Sequence, residues 1–170
     1  MTRSFQLIVT DIDNTLFDWV AYYVNAYGGL LKKLAQITKI PYRTLASESA
    51  RVFEKHGSIE YPFVVQELPS VMERYKDVDQ LLEEAVAPAR NAFMDAASEH
   101  LKPYPHVDTT LAKIKVLFPE IPVVALTDAP RYVAMWKLNK LGFLHGIDAV
   151  YGLADPRIPT DTVQGRVKVE

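Results

Sequence analysis

The chain of 170 residues contains no cysteine. That absence removes disulfides, thiolate zinc sites, iron–sulfur clusters and cysteine nucleophiles together, fits a reducing compartment, and leaves oxygen and imidazole as metal ligands. An excess of charge is also lacking. With 19 Lys+Arg against 21 Asp+Glu, a formal net charge of −2, no field of the kind that drives non-specific binding to phosphate backbones arises, and nucleic acid is not an expected partner. No run of about 18 apolar residues occurs, so no membrane span is expected. The apolar stretch Phe5 to Val9 is too short for a signal-peptide core, and a cytoplasmic protein is expected. Low-complexity tracts and internal repeats are missing as well. What is present, a hydrophobic content of 49%, suffices for a buried core in one domain, or in one domain with an inserted lobe.

Leu7, Ile8 and Val9 form a compact apolar run that stops at Thr10 and Asp11, the pattern of a parallel strand buried on both faces. Such a strand should have a neighbour on each side. Pro122 to Leu126 repeats the arrangement and ends at Thr127-Asp128, after a helical pattern from Thr109 to Phe118. Arg131 to Leu141 then reads as a helix closed by Gly142, with Pro130 in its first turn, and Ile147 to Tyr151 as a third strand. The βαβ alternation indicates an α/β sheet. From Trp19 to about His100 the periodicity is helical throughout, with helices expected at Trp19 to Ile37, Tyr42 to Lys55, Tyr61 to Tyr75 and Val78 to Ser98. A helical insertion directly after the first strand suggests a lid over its carboxyl edge, where open α/β sheets bind ligands.

The sharpest local feature is Asp11-Ile12-Asp13-Asn14-Thr15-Leu16 at the end of the first strand. Two carboxylates so close repel, and either a cation keeps both ionised or they share a proton. Hard oxygen donors of this kind suit Mg²⁺, which takes a few carboxylates, several waters and a substrate phosphate. The plainer alternative is that Asp13 or Asn14 caps the following helix while Asp11 is solvated. The second strand ends in Thr127-Asp128-Ala129-Pro130, a hydroxyl and free backbone N–H groups at a helix N-terminus, which suits phosphate oxygens. Here the plainer alternative is that Thr127 is an N-cap.

These residues resemble the haloacid dehalogenase-like hydrolase superfamily. Its first motif, a hydrophobic strand and Asp-x-Asp-x-Thr, is matched by Leu7 to Thr15, and the frequent continuation Leu-x-Asp by Leu16-Phe17-Asp18. Its second motif, a hydrophobic strand ending in Ser or Thr, is matched by Val123 to Thr127, and Leu101 to Pro105 looks like the return from an α-helical cap. The resemblance implies a Rossmann-like parallel core over residues 1–18 and 101–170 with an all-helical cap over 19–100. It implies an Mg²⁺-dependent phosphatase acting on a small phosphorylated metabolite. Asp11 would be the nucleophile that forms an aspartyl-phosphate, Asp13 the general acid and base, and both would bind the metal. Thr127 would hold a phosphate oxygen, with Asp128 beside it pointing away or reaching the metal's water shell. An acid at the second position favours phosphate esters over halides, because an alkoxide leaving group needs a proton.

Two departures accompany the match. The family's third motif is a Lys or Arg; Lys168 is the best-placed candidate by chain order, although it comes late and lacks the usual following Pro, and its plainer reading is a solvated terminal lysine. Arg157 and Arg166 are weaker candidates, and Lys137 and Lys140 are expected to face solvent on the helix after Thr127. For the fourth motif, one or two further acids, nothing remains before Glu170. The expectation is therefore a C-terminally shortened hydrolase or a member that has lost activity and binds Mg²⁺ weakly, with phosphate or protein binding as the alternative function. A phospho-acceptor signalling domain ranks last, because the helical insert argues against it. His56, His100 and His106 have no spacing of a metal cage; most of the group Trp19, Tyr22, Tyr23 and Tyr27 is expected to pack as cap core, and for Phe17 and Trp19, next to the acid loop, packing is expected ahead of substrate contact.

Overall fold

A computed structural model describes residues 5–154 of the chain. They divide into two compact units, one formed by the residues up to Val20 together with those from Leu101 onward, the other by Ala21–His100.

The first unit is built on three parallel strands in the order β1 (Ile8–Thr10), β2 (Val123–Pro130), β3 (Ala149–Leu153). Helix α6 (Val107–Leu117) precedes β2, and helix α7 (Arg131–Leu141) joins β2 to β3, giving the α/β architecture expected from the alternation. Along β2 the side chains of Val123, Ala125 and Thr127 are buried, and Ala134, Lys137 and Leu138 are the buried residues of α7, which packs on β2 and β3. Gly142 closes α7 in the left-handed region, φ 77°, with its N–H on Asn139 O, as the sequence suggests. Asp148 ties the strand starts together: its Oδ2 accepts from Val123 N at 2.7 Å and from the Lys115 ammonium of α6, which holds the carboxyl below its usual range.

Burial on both faces of the first two strands is not what the described residues show. Val9 pairs with Val124 and Leu126 with Tyr151, so by alternation they share one sheet face; Val9, Leu126 and Tyr151 are each more than half exposed. β1 pairs on one side among the described residues, and Leu7 lies outside it, 48% exposed. An apolar run permits burial on both faces but does not supply the second layer. Two further boundaries shift: β2 runs on to Pro130, so that Pro130 flanks α7 instead of lying in its first turn, and β3 runs over Ala149–Leu153 instead of Ile147 to Tyr151.

The second unit is helical. It comprises most of α1 (Trp19–Thr38), then α2 (Tyr42–His56), α3 (Pro69–Arg74), α4 (Val78–Leu81) and α5 (Ala87–His100). The single helix expected over Tyr61 to Tyr75 is instead a 3₁₀ turn, Val64–Glu67, and the short α3, because Pro62 and Pro69 each deny the ladder a donor. Between α4 and α5 a π turn, Leu82–Val86, precedes Pro88 and widens the ladder where the ring would strike the carbonyl one turn back. The core includes Leu34, Leu45, Leu68, Val71 and Leu81. Buried Thr38 and Ser49 satisfy their hydroxyls on the carbonyls of Leu34 and Leu45. Tyr23 and Tyr27 stack at 5.9 Å, with Phe53 and Phe93 against them, and burial pushes both phenols up, Tyr27 to about 12.

Two outcomes follow from this unit. Gly29 of α1 meets α5 so closely that an added Cβ would lie 3.0 Å from both Ala92 O and the Ala96 methyl. Gly29→Ala should therefore lower stability by about 1–3 kcal/mol, the scale of overpacking, and an unchanged denaturation midpoint would contradict the close approach. Glu67 accepts from Lys55 at 2.7 Å and from the Tyr61 hydroxyl at 2.5 Å, with His56 Nε2 3.0 Å away. Chiefly the hydrogen bond from His56, then those from Lys55 and Tyr61, hold its carboxyl at about 2 instead of 4.5. A lowered folded value stabilises fully above 4.5 and loses its contribution as pH falls towards 2. Thermal melts should show Glu67→Gln below the parent at neutral pH, with the gap closing through that acid window; a gap that persists at its acid end would refute the linkage.

Candidate active site

The parallel register of β1 and β2 brings their carboxyl ends together, with Thr10 opposite Ala125. The loop Asp11 to Leu16 therefore emerges beside Thr127 and Asp128. Thr15 N and Leu16 N both donate to Ile12 O, at 3.3 and 2.9 Å, and Asn14 takes a left-handed φ of 55°, so the loop folds back tightly. Ile12, Leu16 and Phe17 are buried beneath it, and Tyr104 N donates to Leu16 O at 2.9 Å where the chain re-enters the unit. Asn14 Oδ1 accepts from Trp19 N at 3.2 Å, the capping task the sequence left open between Asp13 and Asn14.

Asp11 is exposed; its Oδ1 accepts from Ile12 N at 2.7 Å, and Thr15 Oγ1 lies 3.5 Å from Oδ2. Asp13 is partly buried. Burial raises its pKa, Lys137 opposes this by charge and by hydrogen bond, and the charges of Asp11 and Asp128 raise it again; the net displacement is upward. Thr127 is buried and its Oγ1 accepts from Ala129 N at 3.1 Å, a bond within the irregular end of β2 between Leu126 and Pro130 and not the cap of α7, which begins at Arg131. With its acceptor side engaged, the hydroxyl proton of Thr127 is directed elsewhere. Asp128 is exposed.

The residue that sequence reasoning misplaced is Lys137. Expected in solvent, it is 2% exposed, and its Nζ lies 2.6 Å from Asp13 Oδ1 and 5.5 Å from the centre of the Phe17 ring. Lys140 is exposed, as expected. A signal was present: Ala134, Lys137, Leu138 and Leu141 fall at helical one-face spacing, so a lysine interrupts an apolar stripe. An ammonium buried that deeply would cost several kcal/mol without a counter-charge. Lys168, together with Arg157 and Arg166, lies outside the described residues.

No cluster of three or more His, Cys, Asp or Glu with metal-binding geometry occurs among the described residues. Mg²⁺ does not require one, since one or two carboxylates with waters and substrate phosphate suffice. The hard oxygens of Asp11 and Asp13 fit that chemistry. Asp11 and Asp128 are both near enough for their charges to act on Asp13, whose carboxyl Lys137 pairs with.

Among solved structures, the chain superposes on a candidate β-phosphoglucomutase from Thermotoga maritima with a TM-score of 0.56 and 20% identity, covering 87% of this chain and 61% of that one. It superposes on a 2-haloacid dehalogenase from Pseudomonas syringae pv. Tomato DC3000 with a TM-score of 0.59 and 18% identity, covering 88% of this chain and 64% of that one. The chain thus has the α/β fold of haloacid dehalogenase-like proteins. It spans somewhat over three fifths of the length of these two. No protein-family model matches it, and no curated protein does.

Gly152 of β3 passes the Thr127 loop so closely that a Cβ would stand 2.7 Å from Ala129 O and 3.3 Å from the Arg131 backbone. Gly152→Ala should displace residues 129–131 and weaken any anion held beside Thr127; titration with inorganic phosphate that gives the parent's affinity would show that this approach does not shape the site.

Proposed function

We propose that the chain is a phosphatase working through Asp11, with Mg²⁺ as cofactor and a small phosphorylated metabolite as substrate. The observation that carries the reading is the meeting of the Asp11–Asp13 loop with Thr127 at the carboxyl ends of two adjacent parallel strands. An exposed carboxylate, a second, partly buried carboxyl and a hydroxyl are thereby brought to one sheet edge, the carboxyl edge at which α/β sheets bind ligands.

Asp11, oriented by Ile12 N, attacks phosphorus and forms an aspartyl-phosphate as the ester oxygen leaves. Asp13, whose burial favours its protonated form, gives its proton to that oxygen and later takes one from the hydrolytic water. Thr127 and the backbone N–H that follows it, that of Asp128, hold a non-bridging oxygen. Among the described residues carboxylates outnumber the Lys137 ammonium here, so a phosphate dianion entering the site needs further positive charge. Mg²⁺ held by the Asp11 carboxylate and the backbone carbonyl of Asp13 would supply it, polarising the phosphoryl group as a Lewis acid. The helical residues 19–100 serve as a cap that excludes water and selects the leaving group.

Turnover with added Mg²⁺ should be measured across phosphorylated sugars, nucleotides and 2-phosphoglycolate. Asp11→Asn should abolish it. Asp13→Asn should reduce it severely while aspartyl-phosphate accumulates on activated esters, and Thr127→Ala should cost about 1–3 kcal/mol, the scale of a hydrogen bond to a charged group. An Asp11→Asn variant as fast as the parent removes the nucleophile assignment, and a parent that binds phosphate without turning over any ester favours the non-catalytic alternative.

A further inference from the structure

Lys137 stands where a solvated helix lysine was expected, and the elements around it give the displacement a purpose. Its stem runs along the buried face of α7 with Ala134 and Leu138, and its Nζ meets both ends of one loop: the carboxylate of Asp13 at 2.6 Å and the ring of fully buried Phe17 at 5.5 Å. Phe17 is itself anchored through strand-like bridges to Asp13 and to Pro103. The side chain of Lys137 is 3% exposed and that of Asp13 18%, so the pair is screened from water and its geometry is held more firmly than a surface ion pair would be. α7 also begins four residues after Thr127. One rigid helix therefore presents the Thr127 loop at its start and, about two turns on, the cation that grips the acid loop of β1.

We propose that Lys137 is a positioning residue of this site: through its ion pair with Asp13 it fixes the reach of that carboxyl relative to Thr127, so that α7 couples the two loops. The assignment rests on the phosphatase reading, and it places a charge partner of Asp13 on the helix after Thr127. A carboxyl free to rotate out of line loses the orientation on which proton transfer to a leaving oxygen depends. Lys137 acts through Asp13 and does not touch the substrate, so its loss should appear in kcat and leave KM nearly unchanged.

The test uses the full chain with Mg²⁺ and p-nitrophenyl phosphate. Lys137→Met should lower kcat on the order of 10–100-fold, the range seen when the partner that orients an active-site ligand is removed, and Lys137→Arg, which keeps the charge, should recover part of the loss. A second readout is independent of turnover: thermal unfolding without Mg²⁺ of Asp13→Asn, Lys137→Met and the double variant. Each single change leaves a buried charge unpaired and should lower the midpoint, and the double variant, which buries neither charge, should regain part of it. Strictly additive losses overturn the pair. A raised KM with unchanged kcat overturns positioning and makes Lys137 a ligand of the substrate phosphate. Equal kcat losses in the Met and Arg variants, in proportion to their loss of folded protein, overturn it in favour of a structural role. A parent that turns over while Lys137→Met matches it refutes Lys137 alone; a parent without turnover refutes the phosphatase reading, and the positioning role falls with it.

Discussion

Every group of the candidate site depends on the parallel pairing of β1 with β2, in which Ile8 stands opposite Val123 and Thr10 opposite Ala125. Residues more than a hundred positions apart in the chain reach the same sheet edge through that register. A slip of one residue would turn each side chain of β1 to the other face and carry the acid loop away from Thr127. Asp148 reinforces the register from the other side of β2, holding Val123 N and the Lys115 ammonium at the point where the strands begin.

The edge so formed concentrates negative charge, and among the described residues it is answered by burial and by the ammonium of Lys137. Asp11 keeps an exposed carboxylate fixed by its own neighbour's N–H, while Asp13 sits deeper and leans on Lys137. Two carboxyls two residues apart thereby acquire different surroundings, the physical condition for giving them different protonation states and different tasks. Phe17, fully buried and under the Lys137 ammonium, is the hinge between packing and electrostatics in this loop.

The helical unit obeys a separate logic. Its core of leucine and valine from α1 to α5 closes over hydroxyls that bond back to their own helices, and its proline positions are absorbed by a 3₁₀ turn and a π turn rather than by long loops. The close passage of α1 over α5 at Gly29 shows how tightly the two helices that begin and end the unit are packed. Those features give it a core of its own.

Local chemistry was legible in the residues themselves. Apolar runs ending in Asp11 and Thr127, helical periodicity from Trp19 to His100 and the Gly142 stop are short-range signals, and the strands, helices and acid loop followed them closely. Proline positions marked where helices would be disturbed, but whether a helix breaks, as at Pro69, or accommodates, as at Pro88, depends on what packs around it. Tertiary structure alone decided the rest. The second face of the sheet is apolar in the sequence yet open at Val9, Leu126 and Tyr151 among the described residues, because composition states what a face tolerates and not what covers it. Lys137 reads as a surface lysine by residue type; only the packing of α7 on the sheet turns it inward to Asp13, since the energy of a buried charge is set by the partner that the fold brings to it and not by its neighbours in the chain.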